Sequence, residues 1–342
     1  MTETITLGLI GAGRIGRIHA ENLTRALGGA RLLAVADIFE EAAQKAAADF
    51  DMPHAYAEPR RIFDNPDIDA VVICSSTDTH ADFIEQAAAA GKHIFCEKPI
   101  HLDLARIDRA LAAVDAAGVK LQIGFNRRFD PNFRRAQELV ASGAIGEPQV
   151  LRITSRDPAP PPIDYIKVSG GIFLDMTIHD FDMARFLIGD EVAEIYATGG
   201  VMVDRAIGEA GDIDTALITL KYRHGVIGSI DNSRQAVYGY DQRVEVFGSE
   251  GVVMVGNVRP DTAVLTNGQG EHRAKPLYFF LERYTASYRA EMRAFLEAIR
   301  EDKMPPVTGV DGRVPVVMGY AAWESYRTNQ PVRIETIEAD RP

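Results

Sequence analysis

The chain has 342 residues, 46% of them hydrophobic and 25% charged, which excludes a disordered polypeptide and leaves room for two globular domains. Its formal net charge of −12 disfavours nucleic acid and anionic membranes as partners, because both bind clustered Lys and Arg. Residues 1–4 carry no basic or apolar signal region, and no apolar run approaches the length of a membrane span, so we expect a cytoplasmic protein.

The first motif is a glycine-rich turn between a predicted strand and a predicted helix. The apolar run 5–10 leads into Gly11-Ala12-Gly13-Arg14-Ile15-Gly16, and a helical pattern continues over 18–27. In such a turn the first glycine permits the tight bend, the second lets a pyrophosphate approach the backbone, and the third lets helix and strand pack closely. An ordinary glycine turn is the alternative. The residues predicted to contact a dinucleotide here are Gly11, Gly13, Arg14, Ile15 and Gly16.

An acidic residue ends the next predicted strand. The strand 31–36 runs into Asp37, about 20 residues beyond the last glycine, where dinucleotide-binding folds place a carboxylate for the adenosine ribose. Ile38 and Phe39 follow, with no Arg to pair a 2′-phosphate. The glycine turn and the acid together predict a site for NAD in preference to NADP, with Asp37 and Ile38 at the ribose.

Three small hydroxyl residues follow the predicted strand 70–74; they are Ser75, Ser76 and Thr77. Their place at the carboxyl end of a strand suits a cofactor crevice, and a plain helix N-cap cluster explains them equally well. We place Ser75, Ser76, Thr77 and His80 at the cofactor, and we expect His80, at the start of the next helix, to support this loop rather than perform chemistry. Cys74 and Cys96 each end an apolar run, so we predict packed thiols and neither a disulfide nor a metal pair.

A lysine follows the predicted strand 92–96, in the sequence Glu97-Lys98-Pro99. Beside a nicotinamide, Lys98 would hold a substrate hydroxyl and favour its alkoxide through charge; a solvent-exposed loop lysine is the alternative. We place Glu97 and Lys98 at the cofactor and expect the Lys98–Pro99 bond to be cis. A helix over 102–117 and a strand over 119–125 then complete a doubly wound parallel sheet.

The stretch 169–189 is predicted to form one helix, with glycines at both ends and a largely apolar surface. Asp175 and His179 lie four residues apart, so in a continuous helix the carboxylate reaches the imidazole, the arrangement that a general base needs. A packed core histidine beside a helix aspartate is the alternative. The dinucleotide motif and Lys98 supply a cofactor and an electrophile, and we therefore favour catalysis.

Beyond residue 125 the pattern changes to short strand-like runs with few long helices between them, which is typical of an antiparallel sheet. The predicted strands span 149–155, 191–203, 214–222, 226–233, 243–247, 252–255, 262–265 and 332–337, and the predicted helices span 131–141, 284–301 and 313–328. The proline-rich segment 157–162 is predicted to be a stiff loop. We predict a Rossmann domain over 1–125 with a doubly wound parallel sheet, and an α+β domain over 126–342 with a large, open, mostly antiparallel sheet.

These motifs together resemble the Gfo/Idh/MocA oxidoreductase family, through the glycine turn, Asp37, Glu97-Lys98-Pro99 and the helix that carries Asp175 and His179. The stretches that resemble the inositol 2-dehydrogenases of that family are 124–131, 155–158 and 170–182. The resemblance spans nearly the whole chain. It implies an NAD-dependent enzyme that takes a small cyclitol or sugar and oxidises myo-inositol to 2-keto-myo-inositol.

In that reaction we assign His179 as the general base, Asp175 as its orienting partner, and Lys98 as the cation that stabilises the developing alkoxide. No metal is expected, because histidine and lysine supply base and electrophile, and because a helix directs Asp180 and Asp182 to other faces. A regulator that senses dinucleotide without turnover is the alternative in a different class. The presence of all three catalytic residues disfavours it.

The resemblance also implies residues on the substrate side. They are Asn126, Arg127, Asp157, Tyr238 and Tyr240. A salt bridge or an N-cap explains Arg127 and Asp157 equally well, and tyrosines flanking a glycine also fit a sheet turn. Many family members have a glycine where this chain has Thr177, and we expect Thr177 to contact substrate or cofactor and to narrow the range of substrates.

Members of the family use the open sheet as an oligomer interface, often in tetramers, so a homotetramer is expected. The alternative substrates are scyllo-inositol, D-chiro-inositol and an aldopyranose such as glucose. These molecules present nearly the same equatorial hydroxyls as myo-inositol, and no single residue of the sequence decides among them.

Overall fold

The computed structural model describes residues 4–339. Residues 1–3, which belong to the segment predicted to carry no secretion signal, lie outside the described residues. Residues 340–342, the end of the predicted second domain, also lie outside them.

The chain divides into two compact units, each made of two stretches of sequence. The first unit comprises Met1–Phe129 with Ala286–Val314, and the second comprises Asp130–Thr285 with Pro315–Pro342. The sequence pattern predicts a single change of domain after residue 125, whereas 286–314 returns to the first unit. The reason is apolar burial, because Met292, Phe295 and Leu296 lie in the hydrophobic core of the first unit.

The first 129 residues alternate strands with helices. The strands are β1 (Ile5–Ile10), β2 (Ala30–Ala36), β3 (His54–Tyr56), β4 (Ala70–Ile73), β5 (His93–Cys96) and β6 (Leu121–Ile123). The helices are α1 (Arg14–Glu21), α2 (Glu40–Asp49), α3 (Arg60–Phe63), α4 (Thr77–Ala89) and α5 (Leu104–Ala117), with a π-helical turn at Asn22–Ala26 and a 3₁₀ turn at Asn126–Phe129. The short strand β3 is the element that the sequence pattern does not predict.

Strands β1 to β6 pair in parallel in the order β3-β2-β1-β4-β5-β6. The order of strand addition reverses between β1 and β4, and their carboxyl ends border the crevice in which such folds bind dinucleotides. Every residue of β4 is buried, as expected for a parallel strand covered on both faces. The predicted doubly wound parallel sheet is confirmed.

Beyond residue 129 strands predominate in the middle of the chain and helices near its end. The helices are α6 (Pro131–Ala141), α7 (Ile163–Ile166), α8 (Ile172–Asp175), α9 (Thr177–Ile188), α10 (Arg205–Glu209), α11 (Phe280–Arg283), α12 (Thr285–Arg300), α13 (Gly309–Thr328) and α14 (Ile334–Ala339). The strands are β7 (Pro148–Arg156), β8 (Val192–Gly200), β9 (Thr215–Tyr222), β10 (Ile227–Ser233), β11 (Asp241–Gly248), β12 (Val252–Val255), β13 (Val264–Asn267), β14 (Gly270–Arg273) and β15 (Val332–Arg333).

The large sheet of the second unit has the strand order β12-β11-β7-β10-β9-β8-β15. Neighbouring strands run antiparallel, except that β7 and β10 are parallel. Along β9, exposed and buried residues alternate, which marks one covered and one open face. Helix α9 packs against β7 and β10. The predicted α+β domain with a mostly antiparallel sheet is confirmed.

Two predicted strands need correction. The strand predicted at 262–265 becomes β13, which pairs with β14 in a separate hairpin outside the large sheet. The strand predicted at 332–337 is the two-residue β15 followed by α14. Ile334 and Ile337 lie three residues apart and share a face of a helix, so an alternating pattern is compatible with this short helix too.

Within residues 4–339, no helix combines the length and the apolar character needed to cross a bilayer. Cys74 and Cys96 are free thiols, as predicted. Burial raises the pKa of both thiols well above their ordinary value, so they stay protonated near neutral pH.

Candidate active site

The glycine turn after β1 has the backbone geometry that a dinucleotide needs. Gly11 has a φ of +97°, and a Cβ there would lie 2.5 Å from the carbonyl oxygen of Cys74. A Cβ at Gly16 would lie 2.0 Å from the carbonyl oxygen of Gly11, so this glycine lets α1 start against the turn. At the exposed Gly13, no atom of residues 4–339 beyond its chain neighbours lies within 4 Å of such a Cβ. The N-terminus of α1 is therefore open to a pyrophosphate.

The Asp37 carboxylate lies at the carboxyl end of β2 and is oriented by backbone donors. The N–H of Ala12 donates to its Oδ2 at 2.8 Å, and the N–H of Phe39 donates to its Oδ1 at 2.9 Å. These bonds tie the carboxylate to the glycine turn and leave lone pairs for the hydroxyls of a ribose. The residues of this unit therefore fit an NAD molecule.

Arg14, Ile15 and Ile38 border this turn. Arg14 and Ile15 are the first residues of α1, and their side chains are exposed and half-buried respectively. Ile38 is 79% exposed. Because this exposed apolar side chain follows Asp37 directly, it offers a surface on which the adenine ring of the cofactor can pack.

The hydroxyl residues after β4 shape the neighbouring loop. Ser76 is the N-cap and Thr77 the first residue of α4, but within residues 4–339 the Ser76 side chain makes no capping hydrogen bond. The ring of the buried His80 lies with Nδ1 2.8 Å from the carbonyl oxygen of Pro99 and Nε2 3.0 Å from that of Ser75. Burial lowers the pKa of His80, while the two carbonyls oppose that shift. His80 thus holds together the loops after β4 and β5, the supporting role that the sequence predicts.

The half-buried Lys98 follows β5, the strand next to β4 in the sheet. The Lys98–Pro99 bond is cis, as predicted. The carboxylate of Glu97 lies 2.8 Å from Nε2 of His19, within the same unit. The assignment of Glu97 and Lys98 to the cofactor, and the expectation that the reaction needs no metal, stay predictions.

Asn126 and Arg127 open the 3₁₀ turn after β6, and both are buried. The next residue, Arg128, donates to Asp311 at 2.9 Å. This turn therefore contains a salt bridge between Arg128 and Asp311. The substrate roles of Asn126 and Arg127 stay predictions.

In the second unit, the prediction of one helix over 169–189 is wrong. The segment consists of α8 and α9, separated at Met176. The N–H of His179 donates to the carbonyl of Met176 at 3.3 Å, a tighter i to i+3 turn at the start of α9. Asp175 therefore ends one helix while His179 lies in the first turn of the next, and both side chains are half-buried.

Two side chains that the sequence interpretation missed hold Asp175. The hydroxyl of Tyr165 donates to its Oδ1 at 2.7 Å, and Nη1 of Arg234 donates to its Oδ2 at 3.0 Å. Arg234 is only 1% exposed, and its Nη2 donates to Asp212 at 3.4 Å. A buried guanidinium therefore lies between two carboxylates, one of which is the predicted orienting partner of His179.

Asp212 connects this ion-pair network to the beginning of α8. Its Oδ1 accepts the N–H of Ile172, the first residue of that helix, at 3.0 Å. Burial raises the pKa of Asp212, whereas the Ile172 N–H and the Arg234 charge lower it. Enclosure of the phenol and the nearby Asp175 carboxylate raise the pKa of Tyr165, which keeps this phenol protonated as a donor.

A signal for Arg234 exists in the sequence but depends on the sheet topology. Arg234 directly follows β10, and Asp157 directly follows β7. Because these strands are parallel, with Ser233 opposite Arg156, both charged residues lie at one edge of the sheet. The half-buried Asp157 is thus placed near the Arg234 network, and its substrate role stays a prediction.

Thr177, the first residue of α9, has partners inside the second unit. Its side chain is fully buried, and its hydroxyl lies 2.6 Å from Oδ1 of Asn232, to which it donates, and 3.2 Å from the carbonyl of Ile172. Asn232 in turn donates to Asp180 at 2.8 Å. The hydroxyl of Thr177 therefore has internal partners in the structure, and its expected contact with substrate or cofactor stays a prediction.

The two tyrosines have different surroundings. Tyr238 is 37% exposed; its hydroxyl donates to Asp241 at 2.5 Å and accepts from Arg156 at 3.3 Å. Tyr240 is buried, with its ring edge-on to that of Tyr284 at a centroid distance of 5.9 Å. Packing in this part of the sheet explains both positions, and the substrate role of either tyrosine stays a prediction.

Comparison with known protein families matches both parts of the chain. Residues 5–125 match the model of an oxidoreductase family with an NAD-binding Rossmann fold. Residues 133–254 match the model of the Gfo/Idh/MocA C-terminal domain.

Individual proteins resemble the chain over nearly its whole length. The myo-inositol 2-dehydrogenase of Thermotoga maritima is 51% identical over 97% of this chain and 99% of its own. The inositol 2-dehydrogenase of Rhizobium meliloti is 47% identical, again over 97% and 99%. Among solved structures, a scyllo-inositol dehydrogenase from Lactobacillus casei with bound NAD(H) and scyllo-inositol is 30% identical, with a TM-score of 0.91 over 97% of this chain and 100% of that one.

Proposed function

This chain belongs to the Gfo/Idh/MocA oxidoreductase family, and from that premise we propose that it oxidises myo-inositol to 2-keto-myo-inositol with NAD as the hydride acceptor. It is an NAD-dependent oxidoreductase. The observation that carries the proposal is the position of three features at the carboxyl ends of strands in one parallel sheet. They are the glycine turn after β1, the Asp37 carboxylate after β2 and Lys98 after β5. The choice of an inositol as substrate follows the relatives named above.

The residues of the first unit are suited to bind the cofactor. The open backbone at Gly13 receives the pyrophosphate, and the Asp37 carboxylate accepts hydrogen bonds from the ribose hydroxyls. Bound NAD supplies a hydride acceptor at its nicotinamide ring. The same carboxylate repels a 2′-phosphate, which favours NAD over NADP.

The remaining roles concern the proton and the charge of the substrate hydroxyl. His179 accepts the hydroxyl proton as general base, and Lys98 stabilises the alkoxide that develops as the proton leaves. Asp175 stabilises the protonated imidazole, and its own orientation is fixed by Tyr165 and Arg234. The donors on Asp175 thus make it a positioned carboxylate instead of a mobile one.

A panel of substrates with both cofactors tests the proposal. We expect the highest kcat/KM with myo-inositol and NAD, and a preference for NAD over NADP of about tenfold or more because of the Asp37 charge. The measurement is the absorbance of the reduced nicotinamide with myo-inositol, scyllo-inositol, D-chiro-inositol and glucose. Turnover of glucose without turnover of any inositol would contradict the cyclitol assignment and leave the enzyme class intact.

Two other outcomes of that panel distinguish the alternative functions. A preference for scyllo-inositol is the second candidate, because a related structure holds that isomer with NAD(H). Tight NAD binding without turnover of any polyol would favour a dinucleotide-sensing regulator. The presence of Lys98, Asp175 and His179 together supports the enzyme.

We also propose that the chain forms a homotetramer through the open face of its large sheet. Leu217, Ile227, Phe247 and Met254, on four strands of this sheet, are each 47% exposed or more. Their strand partners place the four side chains on one face of the sheet, where they lie among charged residues such as Arg152 and Glu245. Apolar surface of this kind on a folded protein marks an interaction site, and a second copy of the chain is the occupant that we propose.

Introducing a charge on this face should separate the subunits. Met254→Arg is expected to reduce the sedimentation coefficient, because a longer, charged side chain opposite Glu245 would then lie inside the buried interface. The matched control is Met304→Arg, at a methionine that is 80% exposed beyond α12 and outside the sheet. An unchanged oligomer in Met254→Arg would show that this face is not the interface.

A cytoplasmic location completes the proposal. Cys74 and Cys96 remain free thiols, as is usual for proteins of a reducing compartment. Dependence on NAD also fits an intracellular enzyme, because the cofactor is a diffusible metabolite of that compartment.

A further inference from the structure

Three titratable side chains meet beneath the Lys98 loop, inside the first unit. His19 comes from α1, Glu97 follows β5, and Glu291 comes from α12. Nε2 of His19 lies 2.8 Å from Oε1 of Glu97 and 4.0 Å from Oε1 of Glu291. The polar atoms of the three groups all lie within 4.8 Å of one another. We call these three residues the buried triad.

The buried triad is almost completely closed to solvent. The side chains of His19 and Glu291 are 0% exposed, and that of Glu97 is 14% exposed. The His19 ring lies edge-on to Phe95 and Tyr288, with centroid distances of 5.0 Å and 5.8 Å. Within residues 4–339, both carboxyl oxygens of Glu291 are buried without a hydrogen-bond partner. A carboxylate in such a place is strongly disfavoured, and a neutral carboxyl group is not.

The charged neighbour of Glu291 raises its pKa, as burial does. Burial raises the pKa of Glu291 well above its ordinary value, and the facing Glu97 carboxylate raises it further. The other titratable groups near this cluster are His19, described above, Tyr288, whose ring faces the His19 ring, and the thiols Cys74 and Cys96, whose pKa values are raised by burial. Both effects favour the neutral carboxyl form of Glu291, which lies beside the His19–Glu97 pair.

The position of Glu97 is restricted on its other sides as well. Its backbone N–H donates to the carbonyl of Ile73 at 2.9 Å, and a Cβ at Gly124 would lie 3.0 Å from its carboxylate. The main chain of Glu291 is fixed too, because Gln122 donates to its carbonyl at 2.8 Å. Glu97 is thus held through its backbone N–H and through the bond of its carboxylate to His19, and the residue that follows it is Lys98.

We propose that Glu291 and His19 are positioning residues for the reaction: they hold the Glu97 side chain and thereby fix the segment that presents Lys98 to the substrate. This inference rests on the proposed role of Lys98 in stabilising the alkoxide. It gives α12, which returns from the far end of the sequence, a function in the cofactor unit beyond filling its core.

Variants of Glu291 test the proposal with turnover as the first readout. Glu291→Ala is expected to lower kcat about tenfold or more while changing the KM for NAD by less than about threefold, because the glycine turn is untouched. Glu291→Gln keeps the shape and the neutral state and should stay within about threefold of wild type. Glu297→Ala, on the exposed side of the same helix, is the control and should leave kcat unchanged.

A second readout does not depend on which substrate the enzyme turns over. A folded Glu291 that keeps its proton above the ordinary value of 4.5 makes wild-type stability fall as pH rises beyond that value, since the unfolded chain releases the proton. Glu291→Gln should remove this component and flatten the dependence of Tm on pH. If wild type fails to oxidise any inositol, the proposed function fails, and this measurement still decides the state of Glu291.

Several outcomes would overturn the inference. One is a Glu291→Ala enzyme that folds and retains the wild-type kcat and pH profile. Another is a Glu291→Gln enzyme whose kcat is as low as that of Glu291→Ala, or whose Tm depends on pH as in wild type. If Glu291→Ala does not fold, the pH dependence of Tm in Glu291→Gln still tests the inference. A third is loss of turnover after dialysis against EDTA, restored by a divalent cation, which would make the buried triad a cation site.

Discussion

Replacing His179 with alanine is expected to lower kcat for inositol oxidation by about 10²- to 10⁴-fold, the range that a positioned general base contributes. The affinity for NAD should change little, because the residues assigned to NAD belong to the first unit and His179 to the second. Steady-state kinetics at neutral pH give kcat, and titration of the cofactor gives its Kd. The variant should recover part of its rate at higher pH, where solvent hydroxide removes the proton that the imidazole no longer accepts.

The control for this experiment is His224→Ala. The His224 side chain is 84% exposed and lies 2.9 Å from Asp190, so its loss removes a histidine without touching the candidate site. Wild-type kcat in His224→Ala with a large loss in His179→Ala is the expected pattern. Near-normal turnover of His179→Ala at neutral pH would remove His179 from the role of base.

Replacing Arg234 with methionine is expected to cost about 3–5 kcal/mol of unfolding free energy, because it leaves two carboxylates without the charge that compensates them. The Asp175 and Asp212 side chains are only 12% and 4% exposed, so water cannot take the place of the guanidinium. Unfolding in urea measures the loss. Activity should fall as well, since Asp175 loses one of the donors that orient it.

The matched control is Arg205→Met, which removes an exposed pair with Glu209 and should change stability by less than about 0.5 kcal/mol. The pH dependence supplies a further check. Without Arg234, burial raises the pKa of Asp212 further, so the folded variant holds a proton that the unfolded chain releases. The difference in unfolding free energy between wild type and Arg234→Met should therefore increase as the pH rises above 3.8, the ordinary pKa of an aspartate, and decrease below it. A gap that is small and independent of pH would show that the ion pairs contribute little.

The features that could be predicted from the sequence are those that local pattern determines. The glycine turn, Asp37 and Lys98 each follow an apolar run, and the continuous apolar character of those runs predicts parallel strands with their carboxyl ends at one edge. Likewise, glycines at the two ends of the Asp175–His179 segment mark its limits, with Gly171 preceding α8 and Gly189 following α9.

The features that could not be predicted depend on contacts between distant parts of the chain. Apolar spacing is the same on both sides of Met176, so the break between α8 and α9 leaves no periodic signal. Arg234 and Asp157 lie at the same edge of the sheet only because β7 and β10 are parallel, a pairing that the run of short strands does not reveal. Glu291 meets His19 only because α12 returns to the first unit. Each of these is set by tertiary packing instead of local propensity.

The internal position of Thr177 has a consequence for substitutions at this residue. Its hydroxyl is the donor for Asn232, and Asn232 is the donor for Asp180, so the three side chains form one chain of hydrogen bonds. A drift from threonine to glycine at this position would remove the first donor and leave the amide oxygen of Asn232 buried without one. A Thr177→Gly variant would therefore need a different residue at position 232, or a trapped water, to satisfy that oxygen.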